Sequence, residues 1–367
     1  AMQPYFCEIF GNASSIHSFG QEARKAMEEA RQTLADFLGA KTDEIVFTSG
    51  GTEANNTAIF GVAHALKNKG NHIITSSIEH HAIIEPCKFL EKQGYKVTYL
   101  PVDKTGLVSP EDVKKAISKE TILITIMHAN NEIGTIQPIE EIAKIAKEAG
   151  VYIHSDAVQT VGHIPIEVNK SGVDMLSLSA HKFYGPKGMG ALYVKKGTKI
   201  TPYLHGGDQE RNRRASTSNV AGIVGLGKAI ELARQSMTQE AKFQSELRDF
   251  LIKEIPRIIS DCCLNGHPVN RLPNNVNFSF SYIEGESILL NLDFLGIAAS
   301  TGSACTSSSL EPSHVLLAIG LPHEIAHGSL RITLGRWTKK TEIDYLLEHL
   351  PKIVDKLRRM SPLYEPK

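Results

Sequence analysis

The chain has 367 residues, 41% of them hydrophobic, and a formal net charge of zero from 40 basic and 40 acidic side chains. That length buries a large core and suits two domains. Balanced charge leaves no basic block for nucleic acid or an anionic membrane. Apolar runs such as Thr121 to Met127 fall far short of the roughly 20 residues that span a bilayer.

No signal peptide is visible. The chain opens at Ala1-Met2, without a start methionine, so the natural N-terminus is expected to lie upstream. Five cysteines occur, Cys7, Cys87, Cys262, Cys263 and Cys305. An odd number without CxxC spacing argues against a disulfide framework or structural zinc and suits a reducing cytoplasm.

From residue 44 to 200, short β-rich runs alternate with helical stretches. Strands are expected at 45–47, 72–75, 97–100, 122–127, 151–154, 176–179 and 191–194. Helices are expected at 54–69, 85–93, 110–118 and 139–149. The last has apolar residues at i, i+3, i+4 and i+7 (Ile139, Ile142, Ala143, Ala146). This alternation implies a mostly parallel sheet covered on both faces. A long helix, 220–253, is expected to end at Pro256 and to bridge two domains, 1–240 and 241–367. The remainder is mixed: strands at 276–280, 297–300 and 330–334, and helices at 287–294, 313–319 and 341–358. Vicinal Cys262-Cys263, just past the long helix, carry mainly a structural reading.

Several strand ends carry polar residues. Thr48-Ser49-Gly50-Gly51-Thr52-Glu53 closes one strand and opens a helix. Gly51 lets the backbone approach an anion, and the helix N-terminus with the Thr52 hydroxyl suits a phosphate; a glycine turn with a threonine cap reads equally well. His80 follows another strand, where an imidazole can stack on a planar ring and shuttle protons; a surface turn histidine is the plain alternative. Asn130-Asn131-Glu132-Ile133-Gly134 is a polar loop in which Asn131 suits a ring or substrate contact, or an ordinary turn. Asp156, in Asp156-Ala157-Val158-Gln159, suits a pyridinium nitrogen or is a loop carboxylate, and Gln159 suits a phenolic oxygen. Lys182, in Ser179-Ala180-His181-Lys182, suits an imine with an aldehyde; a solvated lysine is the plain alternative. An amine and a carboxylate at neighbouring strand ends are what a protein needs to make pyridoxal phosphate an electron sink. Burial would depress the Lys182 pKa and aid proton transfer. Ser179 and His181 suit phosphate donors. Cys305 sits in a small, polar segment of the kind where reactive cysteines are found, with a filler cysteine as the alternative. Arg331, within a strand, suits either a bidentate grip on a carboxylate or a structural salt bridge.

In combination these motifs resemble a group I cysteine desulfurase of the NifS/IscS type, a fold-type I pyridoxal-phosphate enzyme of the class-V aminotransferase family. The resemblance runs from about Gly11 to the C-terminus and includes Gly302-Ser303-Ala304-Cys305-Thr306, Leu310-Glu311-Pro312-Ser313 and Ser361-Pro362-Leu363-Tyr364. It implies an α/β fold: a large domain on a mostly parallel seven-stranded sheet and a smaller α+β C-terminal domain bearing the cysteine loop. It further implies these roles. Lys182 forms the Schiff base and moves protons, Asp156 pairs with the pyridine nitrogen, Gln159 with the ring oxygen, and His80 stacks on the ring. Gly51, Thr52, Ser179 and His181 cradle the phosphate, and Thr217 reaches the phosphate of a neighbouring subunit in a homodimer. Asn131 and Arg331 orient L-cysteine. Cys305 takes its sulfur as a persulfide, leaving alanine. The implied acceptor is an IscU-like iron-sulfur scaffold protein, with Cys305 as a possible ligand to a transferred cluster; no resident metal, nucleic acid or membrane partner is implied, and the implied location is cytoplasmic.

Two departures stand out. The strand and Ala-Thr-Thr segment usual at the family's start are absent from this sequence. Where the family usually has Gly-Gly-Gly and Arg-Ser-Gly-Thr, this chain has Gly206-Gly207-Asp208 and Arg214-Ala215-Ser216-Thr217. Ser216 restricts a backbone position where glycine is usual. A selenocysteine lyase or other enzyme of the same fold is the near alternative. A non-catalytic assembly partner predicts loss of Lys182 or Cys305, and both are present.

Overall fold

A computed structural model of the chain describes residues 1–301 and 311–364. Cys305 therefore lies outside the described residues. The chain divides into two compact units: Ala1–Leu100, Ser109–His128 and Gln137–Met237 in the first, and Pro101–Val108, Ala129–Ile136 and Thr238–Lys367 in the second. The sequence-based boundary at 240/241 lies close to the last of these breaks. Two short excursions of the early chain, one holding Asn131, pack with the later residues instead; local sequence pattern does not carry such long-range contacts.

The first unit is built on a seven-stranded sheet. Its strands are β1 (Ile45–Thr48), β2 (His72–Ser76), β3 (Lys96–Leu100), β4 (Thr121–Thr125), β5 (Tyr152–Asp156), β6 (Met175–Ser179) and β7 (Gly190–Val194). The order is β1-β7-β6-β5-β4-β2-β3. Pairs β2–β3, β2–β4, β4–β5 and β5–β6 are parallel; only β7 runs against its neighbours β1 and β6. Every residue of β1, β2, β4, β6 and β7 is buried, as expected for strands covered on both faces. Because β7 is antiparallel to both β1 and β6, β1 runs with β6. The C-terminal ends of β1, β2, β4, β5 and β6 thus share one edge, where ligands of open α/β sheets collect. The Gly51–Ala65 helix lies deep on this sheet, with Ala54, Ala58, Ile59 and Val62 fully buried against Val46, Ile73 and Leu192.

The second unit holds a three-stranded antiparallel sheet in the order β10-β9-β8: β8 (Cys262–Leu264), β9 (Asn275–Phe280) and β10 (Ser329–Thr333). Leu251, Ile255, Phe278, Phe280, Leu330, Leu346 and Leu350 form its core, supplied by the sheet and by the Val220–Ile258 and Lys340–Met360 helices. Among the described residues no helix is long and apolar enough to cross a membrane.

Two expectations fail for physical reasons, and one short strand carried no expectation. The long helix does not stop at Pro256 but runs to Ile258, and the Ile259 N–H still donates to the Ile255 carbonyl at 2.9 Å. Proline removes one hydrogen bond, while Leu251, Ile255 and Ile259 stay packed in the core. Cys262 and Cys263 form a strand paired with Phe280 and Ser279, a short edge without alternation to announce it. At 297–300, only Ser300 pairs, in a single bridge to Arg331. The 21-residue Ser18–Leu38 helix carried no expectation, because much of its buried face is alanine (Ala23, Ala30, Ala35).

The departure at Ser216 has a structural counterpart. Ser216 has φ 95°, and Glu210, Arg211 and Asn212 form a run of left-handed residues at φ 47°, 57° and 60°. The run is held from outside. Glu210 takes a bidentate pair from Arg31 at 2.7 and 2.8 Å and the Phe47 N–H at 2.9 Å, and Arg214 pairs with Glu53 at 2.8 Å. Ser216 is held more lightly: among the described residues its backbone N–H donates to Gln209 Oε1 at 3.1 Å. A left-handed non-glycine residue costs ~1–2 kcal/mol, against ~0.5–1 kcal/mol of chain entropy for glycine. Ser216→Gly is therefore expected to raise the melting temperature by about 2 °C. An unchanged or lower value in a thermal melt refutes the strain argument.

Candidate active site

Asp156 is the last residue of β5, fully placed among protein groups and 6% exposed. Its Oδ1 accepts the Val158 N–H at 3.0 Å and its Oδ2 accepts from Asn55 Nδ2 at 2.7 Å. Burial pushes its pKa up, while Val158, Asn55, His80 and Lys182 oppose the rise. His80 and Lys182 therefore stand within electrostatic reach of the Asp156 carboxylate. The sheet edge brings together three residues spread over 102 positions of sequence.

His80 caps the His81–Glu91 helix. Its Nδ1 accepts the Ala82 N–H at 3.0 Å, so a neutral ring carries its proton on Nε2. Burial is the main reason its pKa falls below the ordinary histidine range; Asp156 pulls the other way. Lys182 lies in the 3-10 turn Ala180–Phe183 directly after β6, and not on the strand itself. That turn lifts the residue out of the sheet, so Lys182 is exposed, contrary to the expected burial. Its backbone is pinned: His163 Nε2 donates to the Lys182 carbonyl at 2.8 Å. Ser179 and His181 meet, Oγ to Nδ1, at 2.9 Å. Burial, then Lys182 and Lys187, lower the His181 pKa.

The Gly51–Ala65 helix begins without a side-chain cap. A Cβ on Gly51 would stand 2.6 Å from Val158 Cγ2, so only glycine allows the turn to lie against the Asp156 segment. Thr52, in the first turn, is exposed, and Gln159 is half-buried three residues past Asp156. Thr217 is exposed and lines a cavity of about 180 Å³ with Thr48, Ser49, Gly188 and Arg214.

In the second unit, Asn131 and Arg331 come together. Arg331 Nη1 donates to the Asn131 carbonyl at 2.8 Å, and Nη2 donates to Ser300 Oγ at 3.3 Å. Gly134 takes φ 77°, and a Cβ there would stand 2.7 Å from Asn275 Oδ1, which explains the glycine that closes this loop. Beside Asn131, Glu132 is buried and accepts from the Ser313 hydroxyl. Burial pushes its pKa up to about 7, against Ser313 and Arg331.

Sequence reasoning missed Asn55, Glu79, His163 and Glu132. Asn55 had a signal, lying four residues, one helical turn, after Gly51. Glu79 and Glu132 each adjoin a residue already singled out. His163 had none, since its role is a tertiary contact to a backbone atom. Cys87 is buried, with its thiol pushed up to about 12, and behaves as core filler.

The family profile for aminotransferase class-V matches residues 1–346. The chain belongs to the class-V aminotransferase family. It is 64% identical over 362 residues to the cysteine desulfurase IscS of Dictyoglomus turgidum, covering 99% of this chain and 92% of that protein. Among solved structures it superposes on a NifS-like protein with a TM-score of 0.91 at 40% identity, covering 97% of this chain and 94% of that one. A structure of SspA in complex with cysteine matches with a TM-score of 0.80 at 40% identity, over 92% of this chain and 94% of that one.

This class-V family is pyridoxal-phosphate dependent, and pyridoxal 5′-phosphate is the cofactor of this chain. The first unit fits it: a buried carboxylate at a strand end, a lysine within its electrostatic reach, and an uncapped helix N-terminus at the same sheet edge.

Below this edge Glu79 is fully buried. It accepts from Ser76 Oγ at 2.6 Å and from the Met127 N–H at 3.0 Å. Burial chiefly, and then Asp156, push its pKa up to about 8. A carboxyl whose folded pKa is raised binds its proton more tightly in the native state. Stability therefore falls as pH rises from the usual carboxylate range toward 8. Glu79→Gln, which mimics the protonated acid, is expected to show a smaller loss of melting temperature between about pH 6 and 8 than the parent. Parallel pH curves for the two proteins would show that Glu79 does not titrate in this range.

Proposed function

We propose that the protein is a pyridoxal-phosphate-dependent L-cysteine desulfurase that supplies sulfur for iron-sulfur cluster assembly. What carries the reading is the Asp156–His80–Lys182 cluster at the sheet edge, in a chain that retains Cys305 and closely matches cysteine desulfurases along nearly its whole length. The overall reaction converts L-cysteine and the Cys305 thiol into L-alanine and a Cys305 persulfide. One S–S bond forms and the substrate C–S bond breaks, and the atoms balance without an outside oxidant.

When bound, the cofactor supplies an electron sink for charge released at the substrate α-carbon. Asp156 would pair with the cofactor's ring nitrogen, and Gln159 with the ring oxygen. His80, its pKa lowered chiefly by burial, would stack on the ring. Thr52, Ser179, His181 and the backbone at Gly51 would hold the phosphate. Lys182 Nζ would hold the cofactor through its aldehyde and would move the proton at the substrate α-carbon. Arg331 grips the substrate carboxylate and Asn131 steadies it. The Cys305 thiolate then attacks the substrate sulfur.

The working form is a homodimer in the cytoplasm, with Thr217 reaching the partner's phosphate site. The persulfide passes to an IscU-like scaffold protein. Such an acceptor would meet the segment that carries Cys305 and the C-terminal tail.

The test is product analysis of the holoenzyme with L-cysteine and a thiol reductant. Alanine and sulfide in equal amounts support desulfuration. Pyruvate or an amino-group transfer product in place of alanine overturns it. A selenocysteine lyase would release alanine from L-selenocysteine and almost none from L-cysteine.

A further inference from the structure

Glu132 takes no part in the chemistry above, yet it stands at the centre of a closed hydrogen-bond circuit in the second unit. Its backbone carbonyl accepts from Asn275 Nδ2 at 3.1 Å and Asn277 Nδ2 at 3.0 Å. Asn277 lies on β9 directly across from Arg331 on β10. Arg331 returns to the loop through its bond to the Asn131 carbonyl. Each peptide group on either side of Glu132 is thus gripped by β9 or β10.

The side chain adds a third grip. The Ser313 oxygen already accepts the Val315 and Leu316 N–H groups at 3.1 and 3.3 Å, as the cap of the His314–Ala318 helix. A hydroxyl has one proton to give, and Ser313 gives it to Glu132 Oε2. Both residues are buried, at 5% and 4% exposure, so water does not substitute for either partner. The requirement is for an acceptor on a two-carbon stem: alanine leaves the Ser313 proton unpaired, and glutamine keeps a carbonyl oxygen there.

We propose that Glu132, through Ser313, is a positioning residue that sets the Asn131 peptide and so the aim of the Arg331 guanidinium at the substrate carboxylate. The inference rests on the reading that Asn131 and Arg331 orient an amino-acid substrate. It predicts an effect on substrate binding that a merely structural role would not give. A purely structural loss lowers the melting temperature and the active fraction. Misaiming the arginine raises KM and weakens amino-acid binding in the protein that remains folded.

The experiment compares parent, Glu132→Ala, Glu132→Gln, Ser313→Ala and the double alanine variant as holoenzymes. Two quantities are read: KM for L-cysteine, and Kd for L-alanine from the change in cofactor absorbance. Glu132→Ala is expected to raise both by about tenfold, from one unpaired buried hydroxyl and a loosened peptide. Ser313→Ala is expected to act in the same direction, and the double variant to be no worse than Glu132→Ala, because the two residues serve one contact. Glu132→Gln is expected to stay within about threefold of the parent, since the acceptor remains. KM and Kd within about twofold of the parent in Glu132→Ala overturn the proposal. Should that variant fail to fold, unchanged KM and Kd in Ser313→Ala overturn it equally. If the parent forms no alanine from L-cysteine, the desulfurase reading fails; the L-alanine Kd series still decides the role of Glu132.

Discussion

Replacing Lys182 by alanine is expected to lower alanine release from L-cysteine by about 10²–10⁴-fold, the range that a positioned proton carrier supplies. Lys182 lies in the turn after β6, its carbonyl held by His163 and its charge within reach of Asp156. An amine so placed meets both needs of the reaction, a covalent hold on an aldehyde and a base for the α-proton. Alanine removes both, while the exposed position gives the fold little to lose. The measurement is the single-turnover rate of alanine formation together with the cofactor's absorbance. The bound cofactor's absorbance should shift to that of free aldehyde. A small primary amine added to the solution should restore part of the rate, since it can replace the missing proton carrier. A rate within tenfold of the parent would remove Lys182 from the chemistry.

Replacing Cys305 by alanine is expected to cost on the order of 10³-fold in sulfide and alanine release, the scale of losing a covalent nucleophile. The expectation comes from the sequence, where the cysteine sits among small polar residues. The Lys182 and Cys305 variants should fail differently. Without Lys182, the first contact with L-cysteine is impaired. Without Cys305, the amino acid should still bind and change the cofactor's absorbance, but its sulfur should stay in place. Mass spectrometry after mixing the parent with L-cysteine should find one added sulfur, about 32 Da, on the Cys305 peptide. Full alanine release by Cys305→Ala would point to a lyase that needs no protein persulfide.

Much of the first unit was legible because its physics is local. Buried parallel strands read as apolar runs, and β1 to β7 fall within a few residues of expectation. The Ile139–Ala149 helix matches to the residue, since its apolar stripe and the glycine after it fix both ends. Legibility fell where the signal was weak or non-local. The alanine face of the Ser18–Leu38 helix gives little periodicity. The strand Cys262–Leu264 is three residues long, and its pairing to β9 lies in the fold. Pro256 misled because proline's cost was set against core packing that the sequence does not display.

The site divides in the same way. The sequence by itself determined the chemical groups: a lysine and a carboxylate after apolar strands, a glycine turn opening a helix, and a cysteine among small residues. Those choices follow from what an aldehyde cofactor and a sulfur transfer require, and they are written residue by residue. The tertiary structure alone decided which groups meet. Strand order set Asp156, His80 and Lys182 within one another's field, and the turn after β6 left Lys182 exposed. Packing of the 129–136 excursion with the second unit joined Glu132 to Ser313 and Asn131 to Arg331, pairs 181 and 200 positions apart. Such pairings depend on burial and on hydrogen bonds closed between distant segments, quantities that exist only once the chain has folded.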